Sequence, residues 1–362
     1  MTKVLYTLGL ALMVSSLSAQ VKFVNEFLNI GVGARAQGMF GSVVASVDDG
    51  TAAYWNTAGL TGMKAPLQIN AMHANWFGGL SNYDYASIAK VLDEKKNAVG
   101  AISFIRMGID NIPNTLNLVG PDGSIDYTRV TEFSAADYAF LVSYAQAASA
   151  NKRLSIGGNV KIIHRNIGSF GSAWGFGTDF SLKYKGDRFS FGVVGRDITT
   201  TFNSWTFNLS DQEKAVFAQT GNDIPVSSTE ITIPRIIIGG AYHFKREAWS
   251  YLFEVNSNIS TNGTEAGVFS TSRFAVDPSF GSEIGYLDRI FLRVGVGNFQ
   301  RVLNEVNASR RDFELQPNFG LGLKLGRLKI DYALANVGNV SGILSSHIFS
   351  LALDFYPGGK KA

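Results

Sequence analysis

The chain has 362 residues and no cysteine, so disulfides, thiolate metal sites and a lipid anchor on cysteine are excluded. Charged residues make up only 17 % of it, against roughly one quarter in soluble globular proteins, while 39 glycines accompany 26 phenylalanines. A formal net charge of +3, spread evenly along the chain, argues against a nucleic-acid partner.

Residues 1–19, MTKVLYTLGLALMVSSLSA, have the form of a secretory signal. Lys3 supplies the positive start, Val4 to Val14 an apolar core, and Ser18-Ala19 the small residues before a cut ahead of Gln20. The protein is therefore expected to be exported. No later apolar run approaches the ~20 residues that a transmembrane helix needs.

Residues 20–64 follow, and within them Gly31 to Gly59 pack small residues, an aspartate pair and an Asn into one run. From residue 67 the pattern changes to period two, the mark of strands with one apolar face. In 172–184, Trp174, Phe176, Phe180, Leu182 and Tyr184 alternate with Ala173, Gly175, Gly177, Asp179, Ser181 and Lys183. About fourteen strands are expected, near 67–75, 82–92, 97–107, 133–147, 153–164, 172–184, 187–196, 233–245, 249–257, 275–285, 289–298, 315–325, 327–336 and 346–356. Several exceed the usual length in soluble proteins and reach the roughly 9–11 residues of a tilted membrane strand.

Connections of two lengths alternate. The long ones are 108–132, 197–232, 258–274 and 299–314, and the short ones are 93–97, 148–152, 185–187, 245–248, 287–289 and Gly326. Long loops on one rim and tight turns on the other are the signature of an outer-membrane barrel. One face of the strands is aliphatic and aromatic. The other is Gly, Ser and Ala with scattered charges: Asp137, Lys161, Asp179, Arg196, Arg235, Glu254, Glu283, Arg293, Lys324, Asp331 and Asp354. Aromatics at strand ends (Trp76, Tyr83, Tyr184, Tyr242, Trp249, Tyr286) suggest interfacial girdles. The fold class is thus all-β, a transmembrane antiparallel β-barrel of about 14 strands over residues 65–362, surrounded by outer-membrane lipid.

A lumen walled by Gly, Ala and Ser would stay open unless filled. Residues 20–64 are suited to filling it as a plug, since glycine allows tight bends and close backbone approach. Buried polar groups then need partners. Arg35 would bond inward carboxylates or backbone carbonyls, Asp48 or Asp49 would cap a short helix over Gly50 to Trp55, and Asn56 would end that turn.

The run GVGARAQGMFGSVVASVDDGTAAYWNTAGL resembles the N-terminal signature of PorV/PorQ-like proteins, within the wider group of FadL-type barrels. The residues that carry the resemblance include Gly33, Arg35, Gly38, Gly41, Asp48, Asp49, Asn56 and Gly59, together with Ala34, Ala36, Met39, Tyr54, Trp55, Ala58 and Leu60. Phe40 stands where that pattern usually has Gly, and Thr57 where it has Pro. The resemblance implies a fourteen-stranded outer-membrane barrel with an N-terminal plug. For PorV-like members it also implies a type IX secretion accessory that binds the translocon and exported cargo proteins.

No catalytic constellation accompanies these features, and no enzyme, cofactor or metal is expected. Gly31–Ala36 satisfies G-x-G-x-x-A but has neither the preceding strand nor the βαβ unit of a dinucleotide site. His73, His164, His243 and His347 lie far apart in sequence. The main functional expectation is a secretion accessory with Trp205, Phe207 and Phe217 of the long loops as partner-binding anchors. The alternative is a FadL-like transporter of hydrophobic solutes; an enzyme acting on lipopolysaccharide stands well behind both.

Overall fold

Antiparallel pairing turns the alternating segments into a closed ring. The computed structural model describes residues 24–119, 123–221, 223–261, 268–271, 273–303, 310–336 and 345–356, so the expected signal at 1–19 lies outside the described residues. The strands run β1 (Leu67–Trp76), β2 (Ser81–Asp93), β3 (Ala98–Asn114), β4 (Thr131–Ala147), β5 (Leu154–Ile167) and β6 (Gly171–Lys185). Then come β7 (Phe189–Arg196), β8 (Phe202–Phe207), β9 (Thr229–Ile231), β10 (Arg235–Arg246), β11 (Trp249–Ser260) and β12 (Phe269–Ser270). The last are β13 (Ala275–Tyr286), β14 (Ile290–Leu303), β15 (Arg311–Leu325), β16 (Leu328–Ala335) and β17 (Ser346–Phe355).

Each strand of the ring pairs with its sequence neighbour, and Leu67 of β1 lies opposite both Lys90 of β2 and Phe355 of β17. β7 pairs directly with β10, and β11 with β13. Fourteen strands therefore close the barrel, and β8, β9 and β12 are additions on the long-loop side. Closure leaves the ring without a free edge and satisfies the backbone inside the bilayer.

The facing follows the sequence period. Trp174, Phe176, Phe180, Leu182 and Tyr184 of β6 are exposed on the outside, whereas Ala173, Asp179, Ser181 and Lys183 are buried. Ile238 of β10 likewise faces outward while Ile237 is buried. The aromatic girdle needs correction at two positions. Trp76 and Tyr83 are 7 % and 0 % exposed and point inward. In β1 and β2 they share the parity of Gln68, Asn70 and Ser87, and position at a strand end does not by itself determine face. Tyr184, Trp249 and Tyr286 do lie on the outer surface, the last two with ring centroids 4.7 Å apart.

The long loop 197–232 is more ordered than a plain loop. It holds β8, which pairs with the loop-side half of β6, then a helix at Asp211–Gln219 and β9. Ser210 and Glu213 form a reciprocal capping box that starts the helix, an S-x-x-E pattern legible in the sequence.

Candidate functional site in the barrel lumen

Residues 24–64 lie within the ring, built from short turns rather than long elements. They form 3-10 turns at Glu26–Asn29 and Thr57–Gly62 and helical turns at Ala34–Gly38 and Ala52–Trp55. Gly31 and Gly41 take φ of 93° and 70°, and both press on the Trp55 ring: a Cβ on Gly31 would stand 2.7 Å from Cη2, one on Gly41 3.1 Å. Trp55 Nε1 donates to the Val32 carbonyl at 2.8 Å. Asn56 ends its helical turn as expected, and its side chain donates to Val44 O at 2.7 Å and Leu182 O at 3.2 Å. Asp49 accepts from the Thr51 amide at 2.9 Å, closing the turn before the helix, whose own N-cap is Thr51. Phe40 has φ 52°, a left-handed conformation that explains why glycine is usual there. Thr57 opens its 3-10 turn, where proline's fixed φ is also well suited.

The wall receives this segment through glycine and charge. A Cβ on Gly157 would meet Ala58 N at 2.5 Å, one on Gly281 Met39 O at 2.9 Å, and one on Gly239 Ala45 N at 3.1 Å. Gly192 and Gly295 are in similarly close contact with the Val44 and Met39 backbone. Inward glycines thus form a track on which the segment's main chain lies. The charges hold it in register. Arg35 donates to both oxygens of Glu283 at 2.9 and 3.3 Å, Arg293 joins Glu283 and Asp331 at 2.6 Å each. Glu254, 1 % exposed, accepts from the amides of Ala45 (2.6 Å) and Ser46 (3.1 Å). Lys183 donates to Val47 O, and the Arg196 guanidinium lies 4.5 Å over the Tyr54 ring. Lys161 pairs with Asp179 at 2.8 Å and with Asp197. Burial disfavours charge on Arg35, but the adjacent Glu283 more than offsets it and raises its pKa. Burial acts on Asp48 in the same sense, yet Lys183 and Arg35 hold its carboxyl below the usual range.

Two halves of the lumen differ in chemistry. On the turn side a cavity of about 450 Å3 opens beneath the segment, lined by Asp48, Asp49, Lys64, Lys185, Lys245 and Lys329 among others. On the loop side the wall of β16, β17 and β1 to β5 is apolar: Ala333, Ile348, Trp76, Tyr83, Ile105, Leu141 and Ile163 cluster with Phe27, Leu28 and Val32 of the segment. The facing wall is polar, with Arg196, Asn203, Asn256 and Asn318 buried.

The candidate anchors occupy different surroundings from those expected. Trp205 is 6 % exposed, which corrects its reading as an exposed loop aromatic. The strand β8 turns it inward, where Nε1 donates to Glu230 at 2.8 Å, Arg165 lies 5.2 Å over its ring and Phe207 stacks on it at 5.6 Å. Phe207 and Phe217 are half-buried, Phe217 on the helix Asp211–Gln219. The structure does not bring these three together with the plug-motif residues. Sequence reasoning missed the uncharged wall partners: Gln68 accepts from Gly50 N at 2.7 Å, and Tyr85 donates to Gly50 O at 3.3 Å. Their shared parity with the inward charges was the available signal.

No family model and no curated protein matches the chain. Solved structures do. A monoaromatic hydrocarbon channel, CymD, is similar at 13 % identity and TM-score 0.54, covering 90 % of this chain and 98 % of that one. The Pseudomonas putida toluene transporter TodX gives 11 % and 0.55 over 90 % and 99 %. A Pseudomonas aeruginosa FadL homologue gives 11 % and 0.51 over 90 % and 98 %. The chain therefore has the FadL-type fold, and it is an outer-membrane β-barrel.

Proposed function

We propose that the protein is an outer-membrane channel for small hydrophobic or amphipathic solutes, with residues 20–64 as its plug. One observation carries this reading: the apolar half of the lumen wall, from β16 through β5, on the side of the long loops. Trp76, Ile105, Leu141 and Ile163 pack on Phe27, Leu28 and Val32 of the segment, and they would present a continuous apolar surface to a solute once those residues move aside. Likeness of fold to hydrocarbon channels supports it, as does Tyr127, an exposed aromatic at the loop entrance. In this closed state Phe27 and Leu28 fill the apolar side, so passage requires the first turn of the segment to move aside.

The secretion-accessory reading has less support. Its basis is the signature around Gly33 to Leu60, and Arg35, Gly38, Asn56 and Gly59 are each engaged with the wall or the segment itself. Those contacts account for the signature through packing. The test is uptake of labelled toluene by cells with and without the protein, alongside the processing of exported proteins. Faster uptake with normal secretion supports the channel. Unchanged uptake with a secretion defect replaces it by the accessory role.

A further inference from the structure

The short turns concentrate charge that their spacing along the chain conceals. Segments 62–66, 93–97, 148–153, 185–188, 245–248, 287–289 and 324–329 together hold 13 Lys and Arg against 5 Asp and Glu. The remaining chain is net acidic, 19 against 24. All seven segments lie on the turn rim, which faces the periplasm in barrels of this kind.

Most turn carboxylates are already used. Asp93 accepts from the amides of Lys95 and Lys96, Asp187 pairs with Arg153 at 2.9 Å, and Asp288 with Lys324 at 2.8 Å. Deeper in the vestibule Asp354 accepts from Gln68 at 2.5 Å and Asp331 pairs with Arg293. In contrast, Lys64, Lys185, Lys245 and Lys329 form no ion pair with a described residue, and all four border the 450 Å3 cavity. Asp48 and Asp49 share the cavity with Lys185 and Lys329 without a close ion pair to them, and the charged lining still holds eight Lys and Arg against six Asp and Glu, so the lip of the vestibule is a net cationic rim.

We propose that this lip is a docking site for an acidic segment of a periplasmic protein, lying across the vestibule mouth with its carboxylates on these four lysines. Three features select that occupant. The lysines border the lumen, so lipid headgroups around the outer wall do not reach them together. They come from the start of β1 and from β6, β10 and β16, distributed round the ring rather than converging on one point as a small-anion site requires. Lysine is also a point charge on a flexible stem, suited to a mobile polyanion rather than to a planar bidentate group. A cleft of one sign between low-dielectric walls focuses the field on an arriving partner.

The test uses the full barrel in neutral-lipid nanodiscs and a fluorescein-labelled decaglutamate peptide, read by anisotropy. Decaglutamate should bind, decalysine should not, and raising salt from 0.05 to 0.5 M should weaken binding at least tenfold. The quadruple variant K64Q/K185Q/K245Q/K329Q should also weaken it at least tenfold, with barrel folding checked by heat-modifiable mobility. A control set at turn tips, K95Q/K96Q/K152Q, should change it less than threefold. If the quadruple variant misfolds, the single variants K185Q and K329Q replace it, each expected to weaken binding twofold or more. Equal losses in lip and tip sets mean diffuse attraction and overturn the proposal. So does absence of binding, and so does competition by glutarate at equal carboxylate concentration, which indicates a small-anion site. Loss of decaglutamate binding in phosphatidylglycerol nanodiscs assigns the lip to lipid and likewise overturns it.

Discussion

Gly38 of the N-terminal segment lies directly against Gly320 of β15, where a Cβ on Gly38 would stand 2.8 Å from the Gly320 Cα. Two main chains meet there with no side chain between them. Gly320→Val should therefore push the segment off the wall at a cost of about 1–3 kcal/mol, the usual penalty of overpacking. The measurement is protease cleavage within residues 34–41 in the purified barrel. Cleavage should appear in the variant, and continued protection would show that the contact is slack.

Glu283 joins Arg35 of the segment to Arg293 of the wall. Glu283→Ala leaves Arg35 without its carboxylate, although Arg293 keeps Asp331. Breaking a buried pair from one side is expected to lower stability by about 3–5 kcal/mol. Chemical denaturation in detergent should show this. Asp331→Ala, which leaves both Glu283 contacts in place, should cost less.

Adjacent positions of β10 face different media. Ile238→Arg places a charge toward lipid and should cost about 2–4 kcal/mol near the bilayer centre. Gly239→Ser faces the lumen, where an open cavity would tolerate it. The structure leaves no room: its Cβ would meet Asn256 Oδ1 at 2.5 Å and Ala45 N at 3.1 Å. Both variants should therefore destabilise, the first through lipid contact and the second through Asn256 of the wall and Ala45 of the segment. Deleting residues 33–60 separates the causes, because it removes the Ala45 contact and frees the Asn256 amide from Gly41 O, which should ease Gly239→Ser and leave Ile238→Arg unchanged.

Asp48 supplies a pH dependence with a definite sign. Its folded pKa lies below the unfolded value, because Lys183 and Arg35 outweigh the effect of burial. Its contribution is complete above the unfolded carboxylate range, about 3.9, and is lost as pH falls through the folded value. The stability difference between wild type and Asp48→Asn should stay constant from pH 7 to 5 and shrink below about pH 4. A difference that grows on acidification would contradict the assigned field.

The deletion of residues 33–60 also tests the plug directly. Strand closure runs from Leu67 to Phe355, so the barrel should still insert. The deletion removes most of the segment packed between the glycine-lined and apolar halves of the wall, and liposomes holding the variant should leak small hydrophilic solutes. Tight liposomes would mean that the segment does not seal the pore.

Strand number, facing and the alternation of short and long connections were all legible in the chain. Period-two alternation is a local property, because successive side chains of an extended strand point to opposite faces. The inward charges were legible for the same reason. Their partners were not: Arg35 and Glu283 are 248 residues apart, and only closure of the ring brings them together. Parity relative to the ring turned Trp76 and Tyr83 inward, and an extra pairing of β8 with β6 buried Trp205. Net charge behaved similarly. Turns spaced evenly along a meander look neutral in sequence, yet every second reversal returns to the same rim, so their lysines accumulate there. Local geometry determined which residues face the lumen; long-range closure decided which of them meet.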